Sequence, residues 1–171
     1  MTSYFSSAIK EFRRYEKIGR MTMEQLSDRD LFYEPGEGVN SIAVIVKHLH
    51  GNMKSRWTDF LDTDGEKEWR ERDGEFEDTL KTREEINKLW ENGWNLVFKE
   101  MEKLRESVPE QKVIIRGEEH TIVEAVNRQL CHYAYHAGQM AQIGKIRLGE
   151  KWESLSIPRG KSKEYNEKMK G

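Results

Sequence analysis

Apolar residues recur at helical spacing in four long stretches of the chain, namely residues 4–26, 41–62, 82–106 and 122–146. Because side chains three and four residues apart lie on the same face of a helix, each stretch predicts an amphipathic helix with one buried face. All three prolines lie outside these stretches, where the periodicity also fails. Four long helices with apolar faces to bury predict an all-α four-helix bundle.

Two of the connections between these helices have distinct patterns. Residues 62–78, DTDGEKEWRERDGEFED, are highly charged, so we expect a long polar excursion anchored by Trp69. Residues 112–122, KVIIRGEEHTI, combine a β-branched run, a Gly-Glu turn and a second short extended piece, which predicts a small β-hairpin before the last long helix. In the loop before the second helix, Asn40 or Ser41 is a suitable N-cap.

The length and composition fit one helical domain. We expect a single domain over residues 1–171, in which residues 147–171 form an extended C-terminal tail packed on the helices. Hydrophobic residues make up 36% and charged residues 35% of the chain, a balance typical of long helices with solvated outer faces. The formal net charge of -2 argues against a nucleic-acid partner, because phosphate binding needs a clustered positive face.

The sequence predicts a cytoplasmic protein that does not contact a membrane. The N-terminal residues MTSYFSSAIKEFRR contain no apolar signal core, and the longest aliphatic run, residues 42–46, is too short to span a bilayer. The single cysteine, Cys131, excludes an intramolecular disulfide and suits a reducing compartment.

The stretch CHYAYHAGQM places His132 and His136 four residues apart in the last long helix. Residues with this spacing stack on one helical face, roughly 6 Å apart at Cβ, so both imidazoles can reach one metal ion. On the second helix, His48 has the same position at the flank of the apolar face. We therefore predict a site formed by these three histidines, whereas His50 lies about 200° further round its helix and should face water.

Polar residues accompany the three histidines. Gln129 and Gln139 share the row of His132 and His136, and Asn52 follows His48 by one helical turn. These amides are candidates for hydrogen bonds to the metal-binding histidines or to a substrate. The same amides are also ordinary on helices, and the histidines themselves are compatible with hydrogen-bonded structural roles.

Three stretches, NSIAVIVKHLHGNMKSRWTDFLDTDGEKEWRERDGEFE, EAVNRQLCHYAYHAGQ and LSIPRGKSKEYN, resemble the DinB/YfiT-like superfamily of bacterial four-helix-bundle proteins. The likeness covers roughly residues 9–166 and points to a branch of mostly unassigned function. It implies a divalent metal ion held by one histidine of the second helix and by an HxxxH pair of the fourth. Carried over, these ligands are His48, His132 and His136, the same three that the helical faces select.

The resemblance further implies a metal-dependent enzyme, because the superfamily includes transferases and isomerases that use low-molecular-weight thiols and a proposed hydrolase. The histidine pair reads HYAYH rather than HExxH, so no glutamate base lies between the ligands. We expect the site to bind one divalent ion, most readily Zn²⁺ or Ni²⁺. The expected substrate is a small molecule such as a low-molecular-weight thiol, and the protein could form a homodimer. A non-catalytic metal-binding protein and a bundle with purely structural histidines stay open as alternatives.

Overall fold

The structure, a computed structural model, describes the backbone of residues 2–170 and the side chains of residues 4–169. Within this range the protein is mostly helical and has one small antiparallel hairpin, as the sequence predicted. None of the helices described there has both the length and the apolar character needed to cross a bilayer. The elements are α1 (Thr2–Gln25), α2 (Asp28–Leu31), α3 (Ile42–Trp57), α4 (Arg83–Lys103), β1 (Lys112–Ile115), β2 (Glu118–Thr121), α5 (Ile122–Leu148) and α6 (Ser162–Lys170).

The second long helix is shorter than predicted. Ser41 is its N-cap and accepts a hydrogen bond from the backbone N–H of Val44 over 3.2 Å. At the other end, α3 stops at Trp57 rather than at residue 62, because Thr58 is extended and Asp59 has a φ of 48°. Those backbone angles cannot continue a right-handed helix. The connection from α3 to α4, residues 58–82, is therefore longer than the predicted excursion.

The predicted loop before α3 contains the short helix α2. Its first turn is stabilised by a capping box between Ser27 and Asp30, a pattern of local hydrogen bonds that a search for apolar periodicity does not detect.

The long helices enclose a group of aromatic rings. α3 packs on α4 and α5, and α1 packs on α5 and α4. Between them, the rings of Phe12, Trp57, Trp94 and Tyr133 form what we call the aromatic centre, with neighbouring centroids between 5.4 and 6.3 Å apart. Inside it, Trp57 Nε1–H donates to the Tyr133 hydroxyl over 2.9 Å, so the two polar atoms satisfy each other.

The hairpin is fixed to the α3–α4 connection. Arg116 and Gly117 form its turn with φ values of 57° and 75°, one residue earlier than the predicted Gly-Glu turn. The Asp64 carboxylate accepts hydrogen bonds from the backbone N–H groups of both turn residues, over 2.8 and 2.7 Å. Gly65 N–H also donates to the carbonyl oxygen of Ile114 over 2.8 Å. The turn therefore has a defined position against the connection.

The tail lies against α1 and α5 at its start and ends in a helix. Gln25 and Glu153 exchange two hydrogen bonds of 3.2 and 2.9 Å, and a Cβ at Gly144 would lie 2.6 Å from the Trp152 ring. Further on, the tail forms the helix α6, whose described side chains are exposed. The predicted domain also includes residues 1 and 171, which lie outside the described range.

Candidate metal centre

The three predicted histidines meet between α3 and α5. Nε2 of His132 lies 3.2 Å from Nε2 of His48 and 3.1 Å from Nε2 of His136. His48 and His136 are buried, and His132 is half-buried. One ring nitrogen of each residue lies within 4.8 Å of the other two, which is close enough for a single ion. The fold thus assembles a group that could hold a metal.

The outer ring nitrogens of two of these histidines are held by hydrogen bonds. Nδ1–H of His48 donates to Oε2 of Glu75 over 2.9 Å, and Nδ1–H of His136 donates to Oε1 of Gln139 over 2.7 Å. Since an ionised carboxylate only accepts, His48 carries its proton on Nδ1 and leaves the Nε2 lone pair free. Partners of this kind fix the tautomer and the orientation of histidines that bind metals.

The inner nitrogens cannot satisfy one another with protons. With Nδ1 protonated on His48 and His136, only His132 can donate from Nε2, and it has one proton for two acceptors. A cation bound by the three nitrogens would remove this conflict. Three nitrogens about 2.0–2.1 Å from one ion at tetrahedral angles lie roughly 3.3–3.4 Å from one another. The spacings of 3.2 and 3.1 Å from His132 to His48 and His136 are close to that value, so the donor set fits a divalent ion.

Burial keeps His132 and His136 neutral. It lowers the pKa of His132 to about 3, and the neighbouring His136 and His48 act in the same direction. Burial also lowers the pKa of His136 to about 4, with a further contribution from His48. Because only the neutral imidazole binds a metal, both rings are ready to bind at neutral pH and well below it.

Glu75 reaches the histidines from the α3–α4 connection. A 3₁₀ turn, Asp73–Phe76, brings Glu75 and Phe76 against His48, and the Phe76 ring stacks on the imidazole with centroids 4.7 Å apart. This approach depends on Gly51 of α3, where an added Cβ would collide with the Glu75 carboxylate. The glycine is therefore needed for close contact between the helix and the connection.

The Glu75 carboxylate is also bound by Arg70. Arg70 Nε donates to Oε1 over 2.8 Å and Nη2 donates to Oε2 over 2.9 Å, which is a bidentate pair. Burial raises the pKa of Glu75, but the hydrogen bonds from His48 and Arg70 outweigh this effect and bring the pKa below its ordinary value. Glu75 thus stays ionised and keeps His48 oriented.

A pocket of about 320 Å³ opens beside the histidines. His48 and His132 form part of its wall, so an ion held by the three histidines could be reached from this pocket. The remaining lining residues are two amides and five arginines: Asn52, Gln129, Arg56, Arg70, Arg72, Arg116 and Arg128.

The three amides predicted near the histidines occupy different places. Gln139 binds His136, as described above. Asn52 lies on the pocket wall and accepts a hydrogen bond from the Tyr133 hydroxyl over 3.2 Å. Gln129 also lies on the wall, is 2% exposed, and has no partner for Oε1 among the described residues. One amide therefore supports a histidine and two face the pocket, where contact with a substrate stays a prediction.

Two predictions about neighbouring residues are wrong. His50 was expected to face water, but it is half-buried because α4 packs on that side of α3; burial and the nearby Lys54 lower its pKa. Trp69 was expected to anchor the polar excursion, but it is 51% exposed. The connection is anchored instead by Arg70 and Glu75, whose side chains are 2% and 8% exposed.

Arg56, Arg70 and Glu75 were not predicted from the sequence. Arg56 had a usable signal, because it follows His48 and Asn52 at steps of four residues along α3. Arg70 and Glu75 had none, since they lie in an irregular connection where residue spacing does not indicate which side chains are buried.

A family model matches nearly the whole chain. The family is described as a protein of unknown function, DUF1572, and its model matches residues 1–161. No curated protein and no solved structure matches the chain. The matched range contains every element from α1 to α5, together with the three histidines, the α3–α4 connection and all the arginines of the pocket. The chain belongs to the DUF1572 family.

Proposed function

We propose that this protein is a metal-dependent enzyme of the DinB/YfiT-like kind, in which α1, α3, α4 and α5 form the four-helix bundle. His48, His132 and His136 hold one divalent ion, Zn²⁺ or Ni²⁺. The observation that carries the proposal is the convergence of three Nε2 atoms with too few protons to satisfy one another, at the wall of a pocket.

The reaction that this site suits is attack by a small thiol, or by water, on an electrophilic small molecule. The chemistry that a divalent ion supplies in an open three-histidine site is to make a thiol or water molecule acidic enough to act as a nucleophile near neutral pH. Glu75 and Gln139 keep the histidines in the binding tautomer. Asn52 and Gln129 on the wall orient the second reactant, and such positioning provides much of an enzyme's rate gain.

The composition of the pocket wall favours a thiol over water as the nucleophile. Among the described residues the lining contains no carboxylate, so no glutamate or aspartate base faces the histidines there. A thiol has an intrinsic pKa near 8.5, far below that of water, and needs less help to ionise. Thiol transfer is therefore the favoured reaction, and hydrolysis the second.

Elemental analysis of protein purified without chelator tests the metal site. We expect one divalent ion per chain in the wild type and loss of that ion in His48→Ala and His136→Ala. His50→Ala and His120→Ala are controls that should keep it, because neither residue belongs to the group of converging nitrogens. Unchanged metal content in the first two variants would refute the site.

Turnover is tested with a panel of low-molecular-weight thiols and a generic electrophile, and with simple esters and amides. The metal-loaded wild type should show a rate that His132→Ala and the metal-free protein lack. If one ion is bound but no substrate combination is turned over, the protein is a non-catalytic metal-binding protein. Absence of both metal and turnover would leave histidines with a structural role.

A further inference from the structure

The wall of the pocket beside the histidines is strongly basic. Five arginine side chains line it, and no carboxylate does so among the described residues. Two glutamates compensate part of this charge: Glu75 pairs with Arg70, and Glu66 pairs with Arg56, Arg70 and Arg116. Three of the five guanidinium groups thus share two carboxylates, and the pocket keeps an excess of positive charge.

Arg56 is buried with much of its hydrogen-bonding capacity unused. The residue is 3% exposed, and Nη2 donates to Oε2 of Glu66 over 2.9 Å. Its Nε and Nη1 have no partner in the described part of the chain. Burial lowers the pKa of Arg56, and although Glu66 offsets part of this effect, the adjacent Arg70 and Arg116 add to it. A buried cation with unpaired donors is destabilising, and the negative charge of an anion in the pocket would offset part of that cost.

Other groups on the same wall are also available to a ligand. Gln129 is buried with one amide atom unpaired, and turning its amide by 180° presents either an acceptor or a donor. Arg72 and Arg128 are exposed and form no salt bridge within residues 4–169. The Arg72 guanidinium lies 5.2 Å from the centroid of the Phe76 ring, the same ring that stacks on His48.

We infer that this pocket binds an oxyanion, and that the substrate is a small molecule carrying a carboxylate or phosphate group. Planar guanidinium groups bind both oxyanions through paired hydrogen bonds, and a pocket of about 320 Å³ suits a small ligand. Because His48 and His132 share the wall, an anionic group held by the arginines places the rest of the molecule beside the three histidines. That the bound anion is a substrate rests on the proposed function, whereas anion binding itself requires no metal.

The test is calorimetric titration of metal-free protein with inorganic phosphate and with malonate, at constant ionic strength. The metal is removed with 1,10-phenanthroline, a neutral chelator that does not compete for arginines. We expect saturable binding of at least one anion. Tighter binding of phosphate than of malonate would indicate a phosphorylated substrate, and tighter binding of malonate would indicate a carboxylic acid. Arg72→Gln and Arg128→Gln, both at exposed positions that should tolerate replacement, should each weaken binding about tenfold, as expected when a charge-assisted hydrogen bond is lost.

Arg56→Gln should weaken binding as well, and Arg13→Gln is the matched control. Arg13 is an exposed arginine that stacks on Phe98, outside the pocket, and its replacement should leave anion affinity unchanged. Absence of saturable binding to the wild type would overturn the inference. Equal affinity in the wild type and in the Arg72→Gln/Arg128→Gln double variant would also overturn it, even if Arg56→Gln does not fold.

The same experiment separates this inference from the proposed function. Anion binding that persists in His132→Ala, together with no turnover by the metal-loaded wild type, would refute the enzyme and keep the anion site. Metal-dependent turnover without anion binding would refute the anion site alone.

Discussion

The aromatic centre and the α3–α4 connection are stabilised by different forces. Phe12 and Tyr133 are fully buried in the aromatic centre, where rings pack against one another between long helices. The connection has no long helix. Apart from Phe60, which stacks on Trp57, its most deeply buried side chains are the charged pair Arg70 and Glu75. Burial of apolar surface has little directional preference, whereas charge-assisted hydrogen bonds fix directions. The aromatic centre thus positions the helices, and the connection orients His48.

Phe12→Ala should give the largest loss of stability, because it acts on the aromatic centre. The side chain is fully buried, and its ring centroid lies 5.8 Å from those of both Trp57 and Tyr133. Removal of such a ring costs about 3–5 kcal/mol of unfolding free energy. Urea unfolding of the metal-free protein measures this loss. Metal affinity of the folded fraction should change little, and a strong loss of affinity at unchanged stability would contradict the division between the two regions.

Glu75→Gln should act in the opposite way, on metal affinity more than on stability. The amide keeps the shape of the side chain but removes the charge that fixes the tautomer of His48. Loss of such an outer partner weakens metal binding by about 10- to 100-fold, which competition with a chromogenic chelator can measure. Glu66→Gln is the control, since Glu66 binds arginines and no histidine. An equal loss in both variants would assign the effect to net charge.

Acidification should destabilise the metal-free protein through its histidines. In the folded state the pKa values are about 3 for His132 and about 4 for His136, below the value near 6.5 of the unfolded chain. The unfolded state therefore binds more protons in this window, so stability is complete above pH 6.5 and falls as the pH decreases toward 4. Between pH 6.5 and pH 5.5 we expect a loss of about 1–2 kcal/mol. Urea unfolding at the two pH values measures it, and His132→Gln should show a smaller dependence.

Gly51→Ala and Gly138→Ala make a matched pair with the smallest expected effects. Both glycines lie inside helices, where replacement by alanine normally stabilises by about 0.5–1 kcal/mol. Gly138 has open space around it and should show that gain. At Gly51 the new methyl group displaces Glu75, so the gain should disappear and metal affinity should fall. A stabilised Gly51→Ala variant with wild-type metal affinity would show that Glu75 is dispensable.

The helices and the three converging histidines were predictable for the same physical reason. Helical periodicity reports which residues share a face, and it gives His48, His132 and His136 equivalent positions at the flanks of their apolar faces. The connection has no such period. Its sequence shows only a high charge, and the preference of tryptophan for burial pointed to Trp69 instead of Glu75. Which charges are buried is decided by tertiary contacts, here with Gly51 and His48, that a local pattern does not contain.

The separation of the three converging histidines along the chain bears on how the protein matures. His132 and His136 are four residues apart, but His48 precedes His132 by 84 residues. A ribosome therefore releases α3 long before α5, and the emerging chain has one histidine of the set until the last long helix appears. An ion that joins His48 to His132 would act like a clip across that long loop, whose closure the unfolded chain resists by its entropy. Uptake of the proposed ion would then come at the end of synthesis, after the helices have assembled.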